Sequence, residues 1–176
     1  MRGLHGLAAR AIEGHMDLKA FVRSIPDFPK AGILFRDISP LLASPEALQE
    51  AARLIVAPFD LTRVDAFVGI ESRGFILAAL AAAVHRKGFI PLRKAGKLPP
   101  PVHAESYKLE YGEATLEIAP GHGRVVILDD VLATGGTLRA AISLCSRAGF
   151  DVVGSAVLIN LPALNTLSGV HAVLEY

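Results

Sequence analysis

The chain has 176 residues, room for one domain of ordinary size and little besides, which excludes a multidomain assembly. With 52% hydrophobic and 20% charged residues it holds enough apolar material for a core and too much for a disordered chain. Lys and Arg number 18 against 17 Asp and Glu, a formal charge of +1, so no global basic footprint for a nucleic-acid duplex exists and any anion binding must be local.

Residues 1–15, MRGLHGLAARAIEGH, lack a continuous apolar segment and a cleavage site. They read as a poorly ordered extension or as a start assigned upstream of Met16, with a transit sequence the lesser alternative; residues 16–176 are expected to form a single domain. Leu18, Phe21, Val22 and Ile25 fall at helical spacing and predict a short helix that ends before Pro26. The apolar stretch GILFRDISPLL is expected to be cut off at Pro40. Ser44 then caps a second helix, with Pro45 at its first position and Ala47, Leu48, Ala51, Ala52 and Ile55 along one side.

Two copies of one arrangement follow: apolar strand, polar glycine-bearing turn, helix, strand. The first is Val64 to Ile70, the turn ESRG, a helix to about Arg86 and the strand FIPLR; the second is Arg124 to Asp130, VLATGG, a helix from Thr137 to about Ala148 and the strand VVGSAVLI. Continuous β-branched runs suit parallel strands buried on both faces, and the repeat predicts a doubly wound, mainly parallel α/β sheet flanked by helices. The apolar run from Gly74 to Val84 is about half the ~20 residues a membrane-spanning helix needs, so it is expected to be a buried helix. Cys145 is the single cysteine; a lone thiol in an apolar helix fills core, and its isolation favours a cytoplasmic location.

In such sheets ligands sit beyond the carboxyl ends of the strands, where ESRG and DDVLATGGT both fall. The string VVILDDVLATGGTL, Val125 to Leu138, delivers Asp129 and Asp130 at a strand end and then a Thr-Gly-Gly-Thr turn into a helix. Glycines let backbone N–H groups close around an anion, the helix dipole favours negative charge, and Thr134 and Thr137 add hydroxyls: a phosphate cradle. Neither GxxxxGK[ST] nor GxGxxG is present, which disfavours a nucleoside triphosphate and a dinucleotide. Bare carboxylates repel phosphate, so the pair makes sense if it binds ribose hydroxyls directly or through a shared Mg²⁺, and the ligand should be a sugar phosphate. The blander reading is an Asp pair that only forms a turn or cap.

This string resembles the phosphoribosyl pyrophosphate signature of the type I phosphoribosyltransferases. PDFPKAGILFRDISPLL (Pro26 to Leu42), GIESRGFIL (Gly69 to Leu77), PLRKAGKLP (Pro91 to Pro99) and ESYKLEYGEATLEI (Glu105 to Ile118) extend the resemblance to the branch that takes adenine as acceptor. The resemblance implies transfer of the 5-phosphoribosyl group from phosphoribosyl pyrophosphate to adenine, giving AMP and pyrophosphate, with Mg²⁺ as cofactor and a homodimer as the assembly. It implies that Asp129 and Asp130 hold the ribose hydroxyls and, indirectly, the metal; that Ala133, Thr134, Gly135, Gly136 and Thr137 cradle the 5-phosphate; and that Ser72, Arg73, Arg93 and Lys97 meet the pyrophosphate. Read alone, the basic run Arg86, Lys87, Arg93, Lys94 and Lys97 would be a solvated face. The segment Leu98 to Glu113 reads as an exposed hairpin or loop; the resemblance makes it a mobile hood in which Glu110 faces the developing cation or the base and Tyr111 closes the site. The base is expected between Phe35 and Leu161, its edge read by main-chain groups of Leu34 to Arg36, although Phe35 could equally be core. Asn160 stands where a glutamate is common beside the apolar base contact. The rival classes are transfer to another purine and a regulator that only senses phosphoribosyl pyrophosphate.

Overall fold

A computed structural model describes residues 16–109 and 112–176. Its first departure from the sequence reading lies at the start. Leu18–Phe21 form one 3-10 turn, capped by Asp17 Oδ1 accepting from the Lys19 amide (3.0 Å). The chain then extends as β1 (Arg23–Pro26) and pairs antiparallel with β2 (Leu34–Asp37). The expected helix to Ile25 is therefore wrong: β-branched Val22 and Ile25 tolerate either state, and cross-strand pairing decides in favour of strand. Pro40 does not cut off the next stretch either. It sits in the first turn of α1 (Ser39–Ala43), where a helix asks no N–H of its residues.

Ser44 caps α2 (Pro45–Val56) as expected, its Oγ accepting from the Ala47 amide (3.2 Å), an interaction of about 1 kcal/mol. The two strand-turn-helix units follow in order: β3 (Ala66–Ile70), α3 (Gly74–His85), β4 (Gly88–Lys94), the hairpin β5 (His103–Leu109) and β6 (Gly112–Ile118), then β7 (Gly123–Leu132), α4 (Gly136–Arg147) and β8 (Phe150–Asn160). A last strand, β9 (Val170–Glu175), was not foreseen: its half-exposed residues lack the buried apolar run that marks a central strand.

The main sheet runs β5-β6-β4-β3-β7-β8-β9, parallel from β4 to β9, with the hairpin added antiparallel at one edge. It is the doubly wound, mainly parallel α/β sheet that the two strand-turn-helix units predicted. Successive strand residues serve opposite faces. Phe67, Val126 and Leu128 join Ile55 of α2 and Leu77 of α3 in one core, while Val68, Val125 and Ile127 join Leu144 and Cys145 of α4 in the other. Cys145 is buried, and burial pushes its thiol up to about 12, which suits filler and not a nucleophile. No helix among the described residues is long and apolar enough to cross a membrane.

Candidate active site

Both strand-to-helix turns open at the carboxyl end of the parallel sheet, and the first touches the end of the strand that feeds the second. The first is Glu71-Ser72-Arg73, between β3 and α3, with a cis peptide bond joining Glu71 to Ser72. The second is Ala133-Thr134-Gly135, between β7 and α4. Because β3 and β7 are neighbours, Gly74 at the head of α3 lies against β7: a Cβ there would stand 2.8 Å from Asp129 Oδ1. Glycine is what lets the head of α3 close on the end of β7. From the same turn Arg73 Nε approaches Asp130 Oδ2 to 2.6 Å.

β7 runs two residues past the expected end, so Asp129 and Asp130 lie within its last four residues and point, by strand alternation, to different sides. Asp130 is buried, and its amide donates to Asp129 Oδ1 (2.9 Å). Burial and the adjacent Asp130 charge push the Asp129 carboxyl well above its ordinary value, with Arg73 opposing. A cationic ligand or hydroxyl donors would relieve that crowding.

The cradle is shaped by its own backbone and by a loop behind it. Gly135 has φ +82°, a left-handed conformation, and a Cβ there would meet Leu167 at 2.5 Å. Arg139, one turn into α4, donates through Nη2 to the Thr134 carbonyl (3.0 Å) and so keeps that carbonyl turned back toward the helix. Thr137 Oγ1 lies 3.4 Å from the Tyr107 hydroxyl of the hairpin. A cavity of about 630 Å³ is lined by Ser72, Arg73, Asp129, Asp130 and Thr137 on the body and by Tyr107, Glu113 and Thr115 on the hairpin. Gly136 lines a smaller neighbouring cavity of about 440 Å³ with Tyr107 and Arg139.

Arg93 and Lys97 do not line the cavity. Lys97 Nζ pairs with Glu71 Oε1 (2.6 Å), Arg93 Nε lies 3.4 Å from Oε2, and the Lys94 amide donates to Oε2 (2.9 Å). The Lys97 ammonium, opposed by burial and helped by the Lys94 amide and Arg93, holds the Glu71 carboxyl at about 2. Sequence reading passed over Glu71, although its place at the head of ESRG, opposite a basic run, was the available signal. It also assigned no contact to Tyr107. The hairpin that carries Tyr107 is fastened to α4 by Arg147, which donates to the Ala104 carbonyl (2.8 Å) and pairs with Glu105, and by Ser143 Oγ on Glu105 Oε2 (3.1 Å). Glu110 and Tyr111 lie outside the described residues.

On the other side of Arg73 stands Phe35, its ring centroid 5.1 Å from the guanidinium carbon and 5.1 Å, edge-on, from that of Phe28. Phe35 is absent from both buried clusters, so it is not core. Leu34 is 49% exposed. Leu161 follows β8, its amide donating to the Leu132 carbonyl (2.9 Å) and its side chain packed on the α2 core. Asn160 is tied to Glu175 (3.4 Å) and Asn165 (3.1 Å), and Asn165 Oδ1 accepts from the amide of Leu167, the residue behind Gly135.

A parallel sheet with an acidic pair and a Thr-Gly-Gly-Thr turn at one strand end, and an arginine-bearing turn at the next, defines the class of phosphoribosyl transferase domains. The family model of the phosphoribosyl transferase domain matches residues 37–168. The adenine phosphoribosyltransferase of Bdellovibrio bacteriovorus is 61% identical over 153 residues, which span 87% of this chain and 93% of that protein. The crystal structure of the Rhodothermus marinus adenine phosphoribosyltransferase superposes with a TM-score of 0.82 at 48% identity, covering 90% of this chain and 96% of the other. That of the Giardia lamblia enzyme, solved with 9-deazaadenine, gives 0.83 at 38% identity, covering 91% and 96%. The chain belongs to the adenine phosphoribosyltransferase family.

Proposed function

We propose that the protein is a purine salvage enzyme that joins adenine to the 5-phosphoribosyl group of phosphoribosyl pyrophosphate. N9 of adenine forms a bond to C1 of the ribose, the C1–O bond to pyrophosphate breaks with its electron pair leaving on oxygen, and the N9 proton is lost; the products are AMP and pyrophosphate. The observation that carries this reading is the contact of the first turn and the head of α3 with the end of β7, Arg73 on Asp130 and Gly74 on Asp129, beside one cavity. It sets a cationic side chain for the leaving group next to carboxylates for the sugar.

In this reading Thr134, Gly135, Gly136, Thr137 and the Ala133 turn before them hold the 5-phosphate on the α4 N-terminus. Asp129 and Asp130 accept from the ribose hydroxyls, and Ser72 and Arg73 bind pyrophosphate. Arg93 and Lys97 add charge to it once they let go of Glu71. As the C1–O bond stretches, positive charge develops on the ribose, and the two carboxylates on its hydroxyl face favour that charge. Water would trap the cation, so the hairpin that carries Tyr107 serves as the hood that excludes it, with Glu110 assigned to the developing cation or the base and Tyr111 to closing the site. Phe35 stacks on adenine opposite Leu161, and the main chain of Leu34, Phe35 and Arg36 reads its edge.

Family membership brings a divalent metal, and Mg²⁺ fits these residues. Asp130 Oδ2 is buried and ion-paired but accepts no hydrogen bond among the described residues, and two carboxylates are hard oxygen donors. No group of three or more His, Cys, Asp and Glu among the described residues could cage an ion alone, so ligand oxygens and water would complete its octahedron. Bound there, Mg²⁺ supplies positive charge to the departing pyrophosphate. We further propose a homodimer, supported by exposed Ile76 and Val84 along α3, and a cytoplasmic location, supported by the single buried thiol.

Pyrophosphate release measured with adenine, hypoxanthine, guanine and xanthine tests the assignment. A main-chain carbonyl near Leu34 suits the exocyclic amine of adenine, whereas the 6-oxopurines set an oxygen against it. A site built around such a bond rejects the analogue by up to ~10⁴-fold. Adenine is expected to be preferred by orders of magnitude. Preference for a 6-oxopurine would overturn the acceptor and spare the reaction; no release with any base would revive the regulator.

A further inference from the structure

β2, the strand that offers Phe35, belongs to a two-stranded ribbon with β1 and, among the described residues, pairs with no strand of the main sheet. Beyond its covalent link to α1, its placement over the site draws on side chains, and its two faces are held differently. Phe35 lies beside Arg73. Arg36, next along the strand and so directed to the opposite face, has its guanidinium carbon 4.0 Å from the centroid of the Tyr176 ring. Across the ribbon Arg36 Nη1 donates to Ser24 Oγ, while Nε is buried and finds no acceptor among the described residues. The face of Tyr176 is thus the partner this guanidinium has in place of a carboxylate. Lys19 Nζ approaches the same ring to 5.1 Å.

Tyr176 in turn belongs to the body of the protein. Its amide donates to the Asn160 carbonyl (3.2 Å) at the end of β8, and its side chain packs against the α2 core. Its hydroxyl is buried with no hydrogen-bond partner among the described residues. The ring makes the contact and the hydroxyl adds nothing to it, a pattern that separates stacking from hydrogen bonding as the cause.

We propose that Tyr176 is a positioning residue for the acceptor base: by stacking on Arg36 it fixes the Leu34–Arg36 main chain and Phe35 relative to the end of β8, and so sets the affinity for adenine. The inference rests on the base-site reading above. The contact lies on the face of β2 opposite Phe35, away from the phosphate cradle, so loosening it is expected to act on the acceptor base and to spare the phosphate.

Steady-state kinetics of the full chain with adenine and phosphoribosyl pyrophosphate, for Tyr176→Phe, Tyr176→Leu, Tyr176→Ala and Phe35→Ala, decide it. Tyr176→Phe keeps the ring and is expected to match the wild type in both KM values. Tyr176→Leu keeps apolar volume without a π face and, like Tyr176→Ala, should raise the adenine KM about five- to tenfold, the scale of a partly desolvated cation–π contact, with the phosphoribosyl pyrophosphate KM within about twofold. If Tyr176→Ala does not fold, Tyr176→Leu alone carries the comparison. Equal rises in both KM values, an unchanged adenine KM in Tyr176→Leu, or a raised one in Tyr176→Phe would overturn the role of Tyr176. If Phe35→Ala raises the adenine KM while Tyr176→Leu does not, the base site stands and only the positioning role falls; an unchanged adenine KM in Phe35→Ala overturns both.

Discussion

Asp129 is held in a state that a ligand can improve. Its carboxyl is pushed up by burial and by Asp130 next to it, and Arg73 offsets only part of that. Removing both carboxylates should therefore leave the fold intact while it removes the acceptors for the ribose hydroxyls. Asp129→Ala combined with Asp130→Ala is expected to weaken phosphoribosyl pyrophosphate binding in the presence of Mg²⁺ by about 100-fold or more, the worth of two charge-assisted hydrogen bonds. Calorimetry measures it, and unchanged affinity in the double variant would take these residues out of the site. The pair was legible in the sequence because two adjacent carboxylates before a glycine turn have few other uses. For Glu71 the place at the head of ESRG hinted at a role but not at a partner, because Lys97 is 26 positions away and the strand pairing that brings them together is invisible in either segment alone.

At the scale of elements, the β1–β2 ribbon shows how a charge can hold what backbone pairing does not. Asp37 is buried at the ribbon's end, where its Oδ1 accepts from the Ser39 amide (2.9 Å) and its Oδ2 from Arg23 Nε (2.9 Å). The Ser39 hydroxyl and amide, followed by Arg23, hold the carboxyl at about 2, below its ordinary 3.8. A lowered folded-state value stabilises the fold fully above the unfolded value and is lost as pH falls toward the folded one. Asp37→Asn should therefore lower the urea midpoint at about pH 5 and narrow the gap to the wild type at about pH 3. A gap that stays constant or widens on acidification would show that the carboxylate does not hold the ribbon. Helical spacing of Leu18, Phe21, Val22 and Ile25 predicted a helix here; Phe21 and Val22 do pack on the α2 core, but from a 3-10 turn and the extended residue that ends it. Four apolar positions suit either element, and only the partner strand decides.

Across the whole molecule, the described residues form two cores around one sheet. On the sequence of residues 1–15, with its glycines and scattered apolar positions, we propose that residues 16–176 are the functional domain. A chain that begins at Met16 is expected to keep its turnover and to melt within about 2 °C of the full chain, since less than 1 kcal/mol is at stake. A fall of several degrees, read by differential scanning calorimetry, would show that the extension docks.

The two strand-turn-helix units, the parallel sheet they imply and the anion-binding turn after β7 are legible in the order of amino acids alone. These follow from short-range patterns: β-branched runs, glycine turns and the cap at Ser44 act over a few residues, and a strand followed by a crossover helix has one favoured hand. Tertiary structure alone decided that Leu18–Pro26 became a turn and a strand, that β9 closes the sheet edge, that Arg93 and Lys97 rest on Glu71, and that Arg36 stacks on Tyr176. Each of these depends on groups far apart in the chain, whose meeting is fixed by sheet order and packing and leaves no periodicity in the local sequence.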